Sequence, residues 1–377
     1  MRYSTIRSNF ESNLLYLDSP LCQPTQERLS SGSCSGTIFT DADHFFECTE
    51  KTGTTALQSA LSSQRPYLSR NGVCYAKSGG DFNCRSLAAA FTKFKVRDDY
   101  IVQCGLTEPK KFEDWRQKLL AEIREEITVA RNKCHTYVLS SEHFSSRLTG
   151  RADVADLATY LRSEFDDIQV VCYLRRQDLM ATSRINESLR AGFPQRRFPS
   201  VTAGGALPQL YDYQNLIERW SAAFGATAIR PRIFERSELE GGSVISDFSE
   251  TQLGLILNQG EIKRTNVALS LTAQIALMMF NQAMGVESRM HVRKHRRKLA
   301  KYLEQVAPGS DGKPSRSVAL SFYENFREGN DHLARLYFER DHLFAENFDE
   351  YPEIELTQDV ALAASLLSDF YASQFIE

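Results

Sequence analysis

Segments typical of buried strands alternate along this chain with segments of helical periodicity, and this alternation limits the fold more than any other feature. The run "IQVVCYL" (168–174) is nearly continuous in apolar residues and rich in β-branched ones, as expected of a strand buried on both faces. The segment 109–132 instead repeats apolar residues at steps of four, at Leu119, Ile123 and Ile127, which predicts a helix. Alternating strands and helices predict an α/β fold with a central, mostly parallel sheet covered by helices.

The remaining elements follow from the same two patterns. Further strands are predicted at 44–48, 135–144 and 226–234, and further helices at 53–64, 152–164, 177–191 and 209–224. Residues 1–40 are rich in Ser, Thr and Gly, which predicts a variable, flexible N-terminal extension. The α/β core is predicted to cover 41–260, and a mostly helical C-terminal part, 261–377, to complete the same domain.

The composition is that of a globular protein and excludes several classes. The 377 residues are 42% hydrophobic and 25% charged, with a formal net charge of −3. This near-balance argues against a protein coated in nucleic acid. No apolar run approaches the roughly 20 residues that cross a bilayer, and the N-terminus lacks the apolar region of a signal peptide. No two of the eight cysteines form a CxxC pair. We therefore expect a cytoplasmic protein whose cysteines are mostly reduced and buried.

The turn in "CTEKTGTTALQSAL" (48–61) lies between a predicted strand and a predicted helix, and its residues suit an anion. Free backbone N–H groups and the positive end of the helix dipole meet at such a turn. Gly53 lets the backbone approach a ligand closely. Lys51 adds a positive charge, and Thr52, Thr54 and Thr55 add hydroxyl groups. The turn therefore indicates a phosphate site.

This turn has two other interpretations. The ATP-type loop G-x-x-x-x-G-K-[ST] has its lysine after the second glycine, whereas Lys51 precedes Gly53 and no first glycine exists. The order excludes that motif. The second interpretation, a helix N-cap made by Thr52 or Thr54 with no ligand, is also compatible with the sequence.

A second strand end carries a similar pattern. The segment "CYLRRQDLMATSRINESLRAG" (172–192) places Arg175 at the end of a buried strand and Ser183 eight residues later. An arginine and a serine that converge there would suit a second phosphate. Arg184 and Arg190 are predicted to be surface charges. Two such turns on one sheet favour a ligand with two phosphates over two chance helix caps.

Together these segments resemble the nucleotide-binding elements of sulfotransferases that use 3′-phosphoadenosine 5′-phosphosulfate (PAPS). "TEKTGTT" (49–55) is similar to the family's Lys-[Ser/Thr]-Gly-Thr-Thr loop, which holds the 5′-phosphosulfate end. "RRQDLMATS" (175–183) keeps the Arg-to-Ser spacing of its 3′-phosphate element. Softer similarity to bacterial, carbohydrate-type members extends over about 44–345. The resemblance implies a P-loop-type three-layer fold in which the cofactor is bound by Lys51, Thr52, Gly53, Thr54, Thr55, Arg175 and Ser183.

The resemblance also implies a reaction. A sulfuryl group would pass from PAPS to a hydroxyl of a carbohydrate or glycolipid acceptor, with PAP as product and no metal. Lys51 would stabilise the leaving group. The base would be Glu142, or alternatively His143, both in "SSEHF" (140–144) after a strand. Glu142 has a competing interpretation as an ordinary acid at a helix N-terminus. Glu50 is expected to pair with or tune the lysine beside it.

The chain departs from the cytosolic small-molecule branch of that family at two points. Ala56 stands where those enzymes carry a tryptophan that stacks on adenine. Their C-terminal Arg-Lys-Gly loop is absent, and Arg264 in "KRTN" is the candidate for replacing its arginine. Acceptor choice is expected to depend on loops around 76–110 and 190–210.

The basic stretch "RMHVRKHRRKLAKY" (289–302) carries seven Lys or Arg residues. A solvated helix face, an anionic acceptor site and a contact with anionic membrane lipid are all compatible with it. Nucleic acid is disfavoured, because aromatic residues are not interleaved through the stretch. Two rival functions also stay open: a kinase-like nucleotide-dependent transferase, and a non-catalytic protein that binds PAP.

Overall fold

The structure is a computed structural model. It describes residues 50–92, 94, 98–196, 198–199, 208–259, 268–285, 288, 291–309, 311–354 and 359–373, and the backbone of 44–47. All of these belong to one compact unit, Phe39–Glu377. The predicted division of the chain near 40 and 260 stays a prediction, because both boundaries lie outside the described residues, as does Arg264.

The described strands form one five-stranded sheet in the order β2-β3-β1-β4-β5, and every neighbouring pair is parallel. The strands are β1 (His44–Glu47), β2 (Val73–Tyr75), β3 (Thr136–Ser140), β4 (Gln169–Leu174) and β5 (Ile229–Ile233). Glu47 lies opposite Ser140 on one side and Val171 on the other. The predicted α/β class with a parallel sheet is confirmed.

The described helices connect these strands and then form most of the C-terminal part. They are α1 (Thr54–Ser63), α2 (Arg65–Arg70), α3 (Arg85–Ala90), α4 (Asp99–Gln103), α5 (Pro109–Ala130), α6 (His143–Arg147), α7 (Arg151–Arg162), α8 (Gln177–Ala191), α9 (Tyr213–Phe224), α10 (Val244–Gln252), α11 (Leu271–Met284), α12 (Arg293–Val306), α13 (Arg316–Glu324), α14 (Arg327–Phe338) and α15 (Val360–Ser373). The predicted helix at 177–191 is confirmed at both ends.

Alternate residues of β4 enter two different cores, because successive side chains of a strand point to opposite faces. Val170, Cys172 and Leu174 pack into the core formed with α5, α7 and α9. Val171 and Tyr173 pack into the core formed with α1 and α10. Helices therefore cover both faces of the sheet, which gives three layers.

Buried charges fix the C-terminal part to the start of α8. Arg176 Nε donates to Asp178 Oδ1 at 2.8 Å, and its Nη1 donates to the carbonyls of Ala345 and Asn347 at 2.9 and 2.6 Å. The hydroxyl of Tyr351 donates to Asp178 Oδ2 at 2.6 Å. Because each buried charge has a partner, the strand end that carries Arg175 is held firmly in place.

Several elements differ from the sequence-based expectations. β2 was not predicted, and the stretch 76–110, treated as loops, contains α3 and α4. α9 begins at Tyr213 rather than at 209, because the Asp212 side chain accepts a hydrogen bond from the N–H of Asn215 at 3.0 Å and caps the helix there. Residues Ala226–Ala228 form a 3₁₀ turn instead of the start of β5.

The described cysteines are free thiols. Cys84, Cys134 and Cys172 are buried and Cys74 is half-buried, as expected, whereas Cys104 is exposed. Burial raises the pKa of Cys84 to about 12, so its thiol stays protonated. The remaining three cysteines lie outside the described residues. Within the described ranges, no helix combines the length and apolar character needed to cross a bilayer.

Candidate active site

The three strands that carry the candidate residues are neighbours, with β1 between β3 and β4. Because all three run in the same direction, the segments that follow them open at one edge of the sheet. The turn at residues 50–53, which we call the Lys51 turn, follows β1. Glu142 follows β3, and Arg175 follows β4. In open α/β sheets, ligands bind at this carboxyl edge.

The Lys51 turn has an unusual backbone. Lys51 has φ 64° and Gly53 has φ 79°, so both adopt the left-handed conformation. A Cβ on Gly53 would lie 2.9 Å from Val244 Cγ1 and 3.3 Å from Phe234 Cε2. Only glycine therefore fits at position 53. A strained lysine beside an obligatory glycine is a feature typical of ligand-binding turns.

Gly53 is also the N-cap residue of α1. It has no side chain with which to cap the helix, and the first N–H groups of a helix have no partner within it. The interpretation of this turn as a cap formed by Thr52 or Thr54 is therefore wrong. Thr52 and Thr54 are buried, whereas Thr55 is exposed and so is the hydroxyl best placed to meet a ligand from solvent.

Arg175 and Lys51 are joined directly. Arg175 Nη1 donates to the Lys51 carbonyl at 2.9 Å, and its guanidinium lies over the Phe234 ring, 5.7 Å from the centroid. The Tyr213 hydroxyl donates to the Arg175 carbonyl at 2.6 Å. Burial lowers the pKa of Arg175 from its ordinary value, yet a guanidinium stays charged in proteins. The structure therefore brings the two predicted phosphate-binding turns together.

Lys51 and Arg184 are each paired with an acidic side chain. Lys51 Nζ lies 2.9 Å from Glu187 Oε2, and Arg184 Nη1 pairs with Glu50 Oε2. The expected pairing of Glu50 with Lys51 is wrong. Arg184, predicted to be a surface charge, is half-buried and paired with Glu50. Ser183 is half-buried and lies one turn before Glu187, on the same face of α8. Because Glu187 pairs with Lys51, this face of α8 is directed toward the Lys51 turn. Arg190, also predicted to be a surface charge, is half-buried and paired with Glu304.

Helix α1 links Glu142, and with it the neighbouring His143, to the Lys51 turn. Gln58 Nε2 donates to Glu142 Oε2 at 2.9 Å and to Ser140 Oγ at 3.2 Å. Gln58 is buried, and it lies one turn after Thr54. A buried amide thus ties Glu142 to the helix that begins at the Lys51 turn. Glu142 is the N-cap residue of α6, so its position at a helix N-terminus is confirmed as well.

The two candidate bases are themselves in contact. His143 Nε2 lies 3.6 Å from Glu142 Oε1, and each side chain is about one-fifth exposed, 22% and 21%. Burial lowers the pKa of His143 below its ordinary value, which favours the neutral ring. Its Nδ1 is buried without a hydrogen-bond partner among the described residues. Of the two side chains, Glu142 is the one held in place by the hydrogen bond from Gln58.

Gln58, Glu187 and Arg184 were not identified as site residues from the sequence. Glu187 lies four residues after Ser183 on a predicted helix, so both side chains belong on one face of it. This spacing is the sequence pattern from which Glu187 could have been identified as a site residue. Ala56, at the position of the family's adenine-stacking tryptophan, packs against the core that α1 forms with α10. No group of three or more metal-ligating side chains occurs among the residues that the structure describes.

No family model matches this chain. It is 28% identical over 176 residues to an uncharacterized protein from Archaeoglobus fulgidus, and the match covers 45% of this chain and 46% of that protein. The chain thus spans about half the length of the curated relative it matches. It is also similar to the crystal structure of a sulfotransferase from Alicyclobacillus acidocaldarius, with a TM-score of 0.36 and 16% identity over 68% of this chain and 97% of that one.

Proposed function

We propose that this protein is a PAPS-dependent sulfotransferase that sulfates a hydroxyl group of a carbohydrate or glycolipid. The observation that carries the proposal is the contact between Arg175 and the Lys51 carbonyl, at 2.9 Å. It joins two turns whose residues resemble the two phosphate-binding elements of PAPS enzymes. The similarity of the softer motifs to carbohydrate-type members supports the acceptor class.

The residues at the Lys51 turn fit the proposed nucleotide. The uncapped start of α1 offers backbone N–H donors, and Gly53 leaves no side chain between them and a ligand. Lys51 and Thr55 would hold the 5′-phosphosulfate end. Arg175 and Ser183 would hold the 3′-phosphate, for which a guanidinium is the preferred partner. PAPS supplies a sulfuryl group attached to a good leaving group.

The chain's own residues then have distinct tasks. Glu142 accepts the proton of the acceptor hydroxyl as that oxygen bonds to sulfur. Lys51 would stabilise the negative charge that the 5′-phosphate oxygen of PAPS would keep when its bond to sulfur is broken. Gln58 orients Glu142 through its 2.9 Å hydrogen bond. For Lys51 to reach a phosphate, it must leave Glu187.

A transfer assay with labelled PAPS and a panel of carbohydrate and glycolipid hydroxyl acceptors tests this function. We expect labelled product with the wild type and a loss on the order of 10²–10³-fold with Glu142→Gln. Glu122→Gln, an exposed residue of α5, is the matched control and should keep wild-type activity. PAP binding without transfer to any hydroxyl would support the non-catalytic alternative. Phosphoryl transfer from ATP would support the kinase-like one.

A further inference from the structure

The carboxylate of Glu142 has a different neighbour at each oxygen. Gln58 Nε2 donates to Oε2 at 2.9 Å, and His143 Nε2 lies 3.6 Å from Oε1. The second distance is longer than a hydrogen bond. It still bears on the state of the ring, because a carboxylate beside one nitrogen of a neutral imidazole favours the tautomer that carries its proton there. The His143 ring is thus expected to direct an N–H group toward Glu142.

The other ring nitrogen of His143, Nδ1, lacks a partner. When Nε2 carries the proton of a neutral ring, Nδ1 can only accept a hydrogen bond. This Nδ1 is buried, and it has no hydrogen-bond partner among the residues that the structure describes. A buried polar atom without a partner destabilises the fold by about 1–3 kcal/mol. The ring therefore requires a donor on its Nδ1 side.

Charged groups of both signs act on this ring. Burial is the largest influence on the pKa of His143 and lowers it. The carboxylates of Glu142 and Glu50 raise the pKa, whereas the guanidinium groups of Arg85 and Arg147 lower it further. A carboxylate only accepts hydrogen bonds, and a guanidinium only donates them. The two arginines are thus the charged neighbours that can donate to Nδ1.

Both arginines are bound by the same two acids. Arg147 Nε lies 3.3 Å from Asp98 Oδ2, and its Nη2 lies 3.1 Å from Asp99 Oδ1. Arg85 Nη2 pairs with Asp98 Oδ1 and lies 3.0 Å from Asp99 Oδ1. The Asp98 side chain is fully buried. These contacts join the first residue of α3 to the last residue of α6, so the helix that follows Glu142 is held against α3.

Arg85 carries a donor that complements the histidine. Its Nη1 is buried and, like His143 Nδ1, has no hydrogen-bond partner among the described residues. One atom is a donor and the other an acceptor, so a hydrogen bond between them, direct or through one buried water, would satisfy both. Arg147 lies four residues after His143 and so on the same side of α6. Its positive charge disfavours a second proton on the ring.

The geometry points to His143 as a positioning residue that directs its Nε2–H at Glu142 Oε1, while Gln58 holds Oε2. Arg85 supplies the donor to the Nδ1 side of the ring. The carboxylate is then fixed at both oxygens, and the task of accepting a proton stays with Glu142. A protonated ring would make Glu142 a weaker base, because a nearby positive charge stabilises the carboxylate. The role of Glu142 rests on the proposed function, whereas the tautomer and charge of His143 are measured without PAPS.

Nuclear magnetic resonance of the histidine ring nitrogens in the full chain tests this arrangement. The signals that disappear in His143→Gln belong to His143. We expect the proton on Nε2 and a titration midpoint below the ordinary histidine value of about 6.5. Arg147→Gln should raise the midpoint by about half a unit, because a positive charge near the ring is lost, whereas Arg147→Lys should keep it near the wild-type value. Arg85→Gln should raise it at least as much, because the donor to Nδ1 is lost as well. Arg151→Gln, at an exposed arginine of α7, is the matched control and should not change it.

Transfer kinetics test the effect of His143 on the base. His143→Leu removes the ring donor and should lower kcat on the order of ten- to a hundredfold, with the Kd for PAP unchanged. His143→Gln keeps a neutral N–H donor and should lose clearly less. Circular dichroism verifies that each variant is folded.

Three outcomes would overturn the inference. They are a proton on Nδ1 in the wild type, an unchanged midpoint in Arg147→Gln, and equal losses of kcat in His143→Gln and His143→Leu. The last outcome would make His143 itself the base. If the wild type transfers no sulfuryl group, the proposed function fails, and the tautomer and the midpoint still decide whether the ring is held as inferred.

Discussion

Arg175 Nη1 donates a hydrogen bond of 2.9 Å to the main-chain carbonyl of Lys51. The bond connects the segments that follow the neighbouring strands β4 and β1. A side chain from one strand end thereby supports the backbone of the turn at the other. The same guanidinium keeps further N–H groups that can meet a phosphate. The contact explains how two turns that are far apart in sequence act as one site.

Replacing this arginine should weaken nucleotide binding. A hydrogen bond to a charged group contributes about 1.5–3 kcal/mol, so Arg175→Ala should raise the Kd for PAP by about one to two orders of magnitude. Arg175→Lys should recover only part of the loss, because an ammonium cannot make a forked contact. Calorimetric titration with PAP measures both, and an unchanged Kd for Arg175→Ala would exclude the assigned role.

Removing the acid that holds Lys51 should have the opposite effect. Glu187 is 54% exposed, and an exposed ion pair contributes about 0.2–1 kcal/mol. Glu187→Gln should therefore lower the Kd for PAP, by no more than about fivefold. The gain should shrink as salt concentration rises. Tighter binding by Glu187→Gln that persists in high salt would indicate a different cause.

The link between the donor site and the base can be tested at Gln58. Gln58→Leu removes the donor to Glu142 while keeping a buried side chain of similar size. We expect kcat to fall by about tenfold or more, with the Kd for PAP unchanged, because the substitution affects orientation and not nucleotide binding. Equal losses in kcat and in PAP affinity would indicate a general structural defect instead.

Gly53 should be essential for the stability of the fold, for two separable reasons. Gly53→Ala combines a left-handed backbone with a Cβ 2.9 Å from Val244 Cγ1. Gly105→Ala is the matched control, since its φ is 68° and nothing lies within 4 Å of an added Cβ. The control should lower the free energy of unfolding by about 1–2 kcal/mol. Gly53→Ala should lower it by about 1–3 kcal/mol more, the cost of overpacking. Denaturant unfolding measures both values, and equal losses would contradict the contact with Val244.

His143 should make stability depend on pH. Because burial lowers its pKa in the folded state, the folded protein disfavours the protonated ring. The free energy of unfolding should be highest above the ordinary histidine pKa of about 6.5. It should decline as the pH falls below that value, toward the lower pKa of the folded state. His143→Gln should flatten this decline in denaturant unfolding experiments at a series of pH values. An identical slope in wild type and variant would show that other groups cause the decline.

The sheet could be predicted because long buried strands leave continuous apolar runs, as in β4. β2 could not, since its three residues, Val73–Tyr75, are too short to form such a run. The proximity of the Lys51 turn to Arg175 followed from parallel strands sharing one carboxyl edge. The pairing of Lys51 with Glu187 and of Glu50 with Arg184 did not, because it depends on how α8 is rotated against the turn.

The most direct test of the central claim is calorimetric titration of the wild type, Lys51→Ala and Arg175→Ala with PAP and, separately, with ATP. Lys133→Ala is the matched control, because Lys133 is exposed and lies just before β3, at the amino ends of the strands. We predict that PAP binds the wild type and the control equally, that ATP does not bind, and that both site variants bind PAP more weakly. Absence of PAP binding to the wild type would contradict the account, as would ATP binding at this site in place of PAP.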